Sequence, residues 1–407
     1  MSYIKDTIKG ISWMTALEGL IKAVAVGKIA ILARILTPSQ FGSYGIALLV
    51  LGFLEVLTET GINIFLIQEK DNAQEYLDSA WVVSIIRGIL IAVLIVATSP
   101  FVLAFFRTPG VANLLYLVAG VALVRGFINP MEVFFQKKLE FMKVFIFQGG
   151  LYLIDAAVAI SLGLLTHSES AMIISMLVAA FSEVILSFVI FKERPRLKLE
   201  KDKFMKVIHS GKWITGAGIF AYIFQNIDNV VVGRFLGPTS LGFYQQAYSV
   251  STLPVSGVSD IFNKVMFPVF VKMSEEISEL KKAFYKSLGA IFSLALIFGI
   301  VVLFFARPII LIFLGPKWLV VEPVLKVLAI FGVFKSILNS TYSLFLSLKM
   351  QKAVMLSELF GIAGMGIAIY PMVMKYGIVG AGYSTIIAVL CSFPVVIFNV
   401  KKIFHSK

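Results

Sequence analysis

Apolar runs of 18 residues or more recur along the whole chain, separated by short clusters of charge, Pro and Gly. A run of that length crosses a hydrocarbon core about 30 Å thick as an α-helix. Taking the breakers and charge clusters as span ends places twelve helices near 8–36, 41–67, 79–106, 111–135, 143–166, 170–191, 208–236, 241–271, 285–314, 318–348, 352–376 and 378–401. The ten-residue alternating segments of a membrane barrel are absent. The pattern therefore predicts an all-α polytopic membrane protein. Its expected division is a six-helix lobe over 1–191, a basic cytoplasmic linker over 192–207, and a second six-helix lobe over 208–407.

Composition supports this reading: 59% of residues are hydrophobic and 14% charged, against about 25% charged in soluble domains. The net charge of +13 is a question of distribution. Lys and Arg gather in the even-numbered connections and at the termini, with seven of them in the central stretch Lys192 to Lys206. The opposite side has only Arg34, Arg107, Arg234, Arg307, Lys317 and Lys375. Such a bias places both termini in the cytoplasm. The positive charge is a topology signal, and no nucleic-acid partner is expected.

The two halves repeat each other. At an offset of 200 residues, Arg34, Leu36, Pro38, Gly42 and Tyr44 match Arg234, Leu236, Pro238, Gly242 and Tyr244. Ile8, Trp13, Thr15, Ala47, Val50 and Asn63 match as well. Each proline should end the preceding helix, each glycine should suit a tight turn, and each tyrosine should lie at the water–lipid interface. The arginines can snorkel to head groups or offset a helix C-terminus. Six spans per half give both halves one orientation, so the repeat is parallel, as in several transporters that work by alternating access around a central cavity.

The string Arg34-Ile35-Leu36-Thr37-Pro38-Ser39-Gln40-Phe41-Gly42-Ser43-Tyr44 resembles the first hairpin of the polysaccharide flippases. These form a family within the multidrug/oligosaccharidyl-lipid/polysaccharide exporter superfamily. The resemblance implies two six-helix lobes around a central cavity lined by spans one, two, seven and eight. It also implies movement of an undecaprenyl-diphosphate-linked oligosaccharide from the cytoplasmic to the outer leaflet of the inner membrane. Membrane lipid and polysaccharide-assembly proteins would be the further partners.

Charged residues inside the spans fit a wet interior. A charge at mid-bilayer costs roughly 2.5–3.5 kcal/mol on insertion scales, so Glu18, Lys22 and Lys28 of span one would cost about 8–10 kcal/mol facing lipid. Glu18 and Lys22 also have the spacing of a local ion pair. Span two adds Glu55, Glu59 and Asn63, and spans seven and eight add Gln225, Asn226, Asp228, Asn229, Asp260, Asn263 and Lys264. Arg87, Arg125, Asp155, Glu183 and Lys335 lie in other spans. A diphosphate needs cations to replace its hydration, and the candidates are Lys22, Lys28, Arg87, Arg125 and Lys264, with Asn226 for sugar hydroxyls. Glu18, Glu55, Glu59, Asp155 and Asp228 are the candidates for Na+ or H+ coupling or for gating. Lys28 and Asp228 occupy equivalent repeat positions, which suggests an ion pair between the lobes in one access state.

Other signals are weak. One cysteine, Cys391, excludes an intrachain disulfide, and His167, His209 and His405 lack metal-ligand spacing. No cleavable signal peptide, cofactor or catalytic constellation is expected. Gly211-Lys212 lacks the rest of a phosphate loop, and Gly361 to Gly366 reads as small-residue helix packing. Asn129-Pro130, Pro254 with Gly257, and Pro394 are hinge or kink candidates. A cation-coupled multidrug exporter is the nearest rival function, because the acids would suit it. A polymerase or ligase would require a larger outer loop.

Overall fold

The computed structural model describes residues 2–62, 66, 73–191, 193–198 and 200–405; side chains at 2–9, 11, 201–217, 253–265 and 405 lie outside that description. The helices are α1 (Ser2–Ile35), α2 (Pro38–Leu57), α3 (Leu77–Phe106), α4 (Ala112–Arg125), the short α5 (Val133–Lys137), α6 (Phe141–Thr166) and α7 (Ser170–Ile190). They continue with α8 (Lys201–Lys272), α9 (Ile277–Phe313), α10 (Glu322–Ser347), α11 (Gln351–Tyr376) and α12 (Ile378–His405). No strand occurs among the described residues. Among the described residues seven helices are long and apolar enough to cross a membrane, and the pair Pro109–Arg125 with Pro130–Lys137, bent by 65°, makes an eighth if it is one span. The remaining long segments, α1, α10 and the two arms of α8, carry Glu18, Lys22, Lys28, Asp228, Arg234 and Lys335. The chain is thus an all-α polytopic membrane protein. Its compact units are Met1–Gln225 and Asn226–Lys407.

The repeated punctuation acts at the helix junctions. Pro38 is the first residue of α2, where its missing N–H costs nothing. Thr37 and Gln40 close a capping box: the Gln40 N–H donates to Thr37 Oγ1 at 3.3 Å, and the Thr37 N–H donates to Gln40 Oε1 at 2.8 Å. In the second half Gly237 breaks α8 with φ 81° and ψ 177°, a conformation nearly restricted to glycine. Pro238 then begins the second arm.

Two expectations for this hairpin are corrected. Gly42 and Gly242 lie buried inside helices, because the turns are made earlier in the chain, at Thr37 and Gly237. Tyr44 and Tyr244 do not sit at the lipid interface. Tyr244 is fully buried and donates to Asp228, while Tyr44 borders an internal cavity and reaches Met176 Sδ at 3.7 Å. Both phenols find polarisable or charged partners inside their units, which outweighs the pull of the head groups.

Helix pairs close where side chains are small. A Cβ on Gly88 would stand 2.9 Å from Ala122 O and Gly126 Cα, so α3 and the end of α4 touch backbone to backbone. Gly149 and Gly163 receive Leu20 and Leu32, which lays α1 along α6. Gly364 receives Cys391 between α11 and α12, the small-residue packing expected of that segment. The helices continue through Pro254 and Pro394, each of which omits one ladder donor, whereas Asn129-Pro130 ends one helical segment and begins the next.

Candidate functional site

The polar residues of the first unit converge on its interior. α2 ends at Leu57, so Glu55 lies in its last turn and Glu59 just beyond it. Arg87 on α3 reaches this helix end: its Nη2 donates to the Glu55 carbonyl at 2.7 Å and to Glu59 Oε2 at 3.1 Å. Its Nε donates to Thr58 Oγ1 at 3.2 Å. One guanidinium therefore serves a helix C-terminus, whose carbonyls lack partners, and a carboxylate together. Arg125, the last residue of α4, donates through Nη1 to Glu55 Oε1 at 2.9 Å.

Lys28 on α1 meets Asp155 on α6 with Nζ 2.5 Å from Oδ2, and Ser175 on α7 donates to the other carboxylate oxygen at 2.7 Å. Both charged side chains are largely buried, at 18% and 15% exposure. Asp155 can reach Lys28 because Gly149 and Gly163 bring α6 close to α1. Asp228, in the second unit, accepts from Tyr244 Oη at 2.7 Å and from the Asn229 backbone N–H at 2.7 Å. Each member of the expected Lys28–Asp228 pair is thus held by partners of its own unit.

Two cavities open among these side chains. One of about 340 Å3 is bordered by Glu55, Glu59, Arg87, Arg125, Glu132 and Glu183. The other, about 510 Å3, is bordered by Lys28, Tyr44, Tyr152 and Asp155. Arg125, Ile128, Gln148 and Glu183 border both. The break after α4 creates the wall between them. The α4 ladder stops at Arg125, and Asn129 starts the next turn by accepting from the Met131 N–H at 3.1 Å. Asn129 is itself buried, taking Ser187 Oγ on its N–H and giving its side-chain amide to the Glu193 carbonyl. A broken helix beside a polar cavity is how membrane proteins expose backbone without exposing it to lipid.

Lys28, Arg87 and Arg125 are brought to this interior, as are Glu55, Glu59 and Asp155. Glu18 and Lys22 are partly buried on α1 and border neither cavity; Asn226 is partly buried on the first arm of α8. Lys264, with Asp260 and Asn263, has its side chain outside the described residues, and Asn63 lies outside them altogether. The structure adds Glu132, whose Oε1 accepts from Gln148 Nε2 at 2.9 Å. It follows directly upon Asn129-Pro130, so the helix break was the available signal. Three cations and five carboxylates face the two cavities. Each cation already has an acid, and Glu132 and Glu183 are carboxyl groups beyond those pairs.

A family model described as polysaccharide biosynthesis protein matches residues 31–323. The teichuronic acid biosynthesis protein TuaB of Bacillus subtilis is 26% identical over 353 residues, 85% of this chain and 72% of that protein. The lipopolysaccharide biosynthesis protein WzxC of Escherichia coli is 24% identical over 85% of this chain and 71% of its own length. Among solved structures, the lipid II flippase MurJ in an inward closed conformation superposes with a TM-score of 0.76 at 16% identity, covering 96% of this chain and 88% of that one. An inward-facing multidrug resistance MATE transporter gives 0.68 at 14% identity, covering 96% and 94%. The two likenesses establish a transporter fold of twelve spans in two repeats, and the match over 31–323 establishes kinship. The chain belongs to the polysaccharide biosynthesis protein family.

Proposed function

We propose that this protein is a flippase, not an enzyme, and that it carries an undecaprenyl-diphosphate-linked oligosaccharide from the cytoplasmic to the outer leaflet of the cytoplasmic membrane. Delivery there would serve cell-surface polysaccharide assembly. The observation that carries the reading is a charge-lined interior with two cavities within a transporter fold, in a chain whose relatives are named for polysaccharide synthesis. Lipid-facing helices have no use for Arg87, Arg125 and Lys28, which insertion costs would select against. A polar headgroup crossing the bilayer requires such groups.

The excess of carboxylates favours coupling to an inward flux of H+ or Na+ through the first unit. Glu132 and Glu183 border the chamber without a cation of their own among the ion pairs formed there. The same excess is what a multidrug exporter would use, so the substrate decides between the readings. Both termini are assigned to the cytoplasm by the Lys and Arg bias. A reporter active only in the cytoplasm, fused after Lys407, should be active.

The test is complementation. In a bacterial host deprived of its own polysaccharide flippase, expression of this chain should restore surface polysaccharide and clear the lipid-linked precursor from the inner leaflet. Failure to restore it, with gained resistance to organic cations, would replace the flippase reading by the exporter reading.

A further inference from the structure

α6 has two faces. Gln148, Tyr152 and Asp155 follow one another at spacings of four and three residues, which stacks them along one side of the helix. Ile146, Leu153 and Leu164 fall on the opposite side and are more than half exposed. The polar stripe borders the cavity of about 510 Å3 in the first unit. α7 faces the same cavity with Met176, Ala179, Ala180 and Glu183, again at helical spacing, and its two alanines leave the space open.

Most side chains around this cavity already serve one another. Lys28 and Ser175 hold Asp155, and the Tyr44 hydroxyl reaches Met176. Tyr152 is different. It is 44% exposed where it borders the cavity, and among the described residues its ring has no aromatic partner and its hydroxyl no hydrogen bond. Two neighbours have capacity to spare. Gln148 donates through Nε2 to Glu132, and its Oε1 accepts nothing among the described residues. Arg125 spends one N–H on Glu55, out of the five that a guanidinium carries. An open aromatic face beside planar amide and guanidinium groups matches the chemistry of a sugar ring. Its C–H face is apolar and packs on an aromatic surface, while the hydroxyls around its edge both donate and accept. The volume lies in the range of about 300–1,000 Å3 typical of small-molecule sites. An organic cation would find Glu183 there but would also meet the positive charges of Lys28 and Arg125.

We propose that this cavity of the first unit holds a sugar ring of the lipid-linked substrate, stacked on Tyr152, with Gln148 and Arg125 binding the ring's hydroxyls. The inference rests on the flippase reading and deepens it: it assigns a place to the saccharide, the part of the substrate that distinguishes one lipid-linked precursor from another.

The test uses the full chain in lipid nanodiscs, with binding followed by native mass spectrometry. The probes are the lipid-linked oligosaccharide that accumulates in the flippase-deficient host, undecaprenyl diphosphate without sugar, and tetraphenylphosphonium as an organic cation. The unaltered chain should bind the sugar-bearing lipid more tightly than the bare one. Tyr152→Ala should weaken binding of the sugar-bearing lipid about tenfold, the loss of an aromatic contact and its buried area. It should leave undecaprenyl diphosphate unchanged, which also controls for folding. Tyr152→Leu, which keeps apolar bulk without the ring, should lose nearly as much as Tyr152→Ala. Tyr152→Phe, which keeps the ring, should lose no more than about threefold, the worth of one hydroxyl. Equal affinity for the sugar-bearing lipid in Tyr152→Ala and the unaltered chain would overturn the inference alone. A matching loss for the bare lipid, or no preference of the unaltered chain for the sugar-bearing one, would do the same. Loss confined to tetraphenylphosphonium would overturn it in favour of a cation site. If the unaltered chain bound neither lipid, the flippase reading would fall with it.

Discussion

The Lys28–Asp155 pair offers the sharpest test of how the first unit is built. It joins α1 to α6 across 127 residues of sequence, with both side chains largely buried and Ser175 occupying the second carboxylate oxygen. Removing one partner of such a pair strands a charge and costs about 3–5 kcal/mol, while removing both costs much less. Asp155→Ala should therefore destabilise the purified protein more than the Lys28→Ala, Asp155→Ala double variant does. A coupling energy of about 2–3 kcal/mol is expected, on the order of a hundredfold in the folded-to-unfolded ratio. Residual exposure of 18% and 15% places the value toward the lower end. The assay is a double-mutant cycle on equilibrium unfolding in mixed detergent micelles. Additive single effects, with coupling below about 0.5 kcal/mol, would refute a formed pair, and with it the account of α1 and α6 as one charge-clamped wall of the chamber.

Five other variants have expected outcomes. Gly126→Val should abolish folded protein, because a Cβ there would stand 2.9 Å from Ser84 O; Gly120→Ala, with its nearest neighbour at 3.7 Å, should fold normally, as read by size-exclusion profile. Gly237→Ala should cost about 1–3 kcal/mol through its backbone conformation alone, and Thr37→Ala about 1 kcal/mol through the lost cap, both measured as unfolding midpoints. Tyr244→Phe removes the hydroxyl that donates to the buried Asp228 carboxylate and should cost about 1.5–3 kcal/mol; an unchanged midpoint would mean that Asn229 suffices.

The sequence made the spans readable because lipid imposes a length and a polarity that few residues can violate. Pro38, Pro238 and Asn129-Pro130 were readable as interruptions, since proline acts on the chain locally. Azimuth was not readable. Tyr44 and Tyr244 were correctly close to a hairpin in sequence but turn inward, and nothing in a single chain says which side of a helix its neighbours cover. Partner choice was hidden for the same reason: Lys28 prefers Asp155 because Gly149 and Gly163 admit α1 to α6, a consequence of helix order in space. The repeat register suggested Asp228 instead, and register relates equivalent places without bringing them together. Glu132 became visible only when the break before it opened toward Gln148 and the chamber.

The central claim is that this chain moves a diphosphate-linked saccharide across a bilayer. The most direct measurement is the fraction of lipid-linked oligosaccharide protected inside proteoliposomes containing the purified chain, before and after an ion gradient is imposed. The account predicts gradient-dependent movement between leaflets. An unchanged protected fraction with the purified chain present, under gradients of either H+ or Na+, would contradict it.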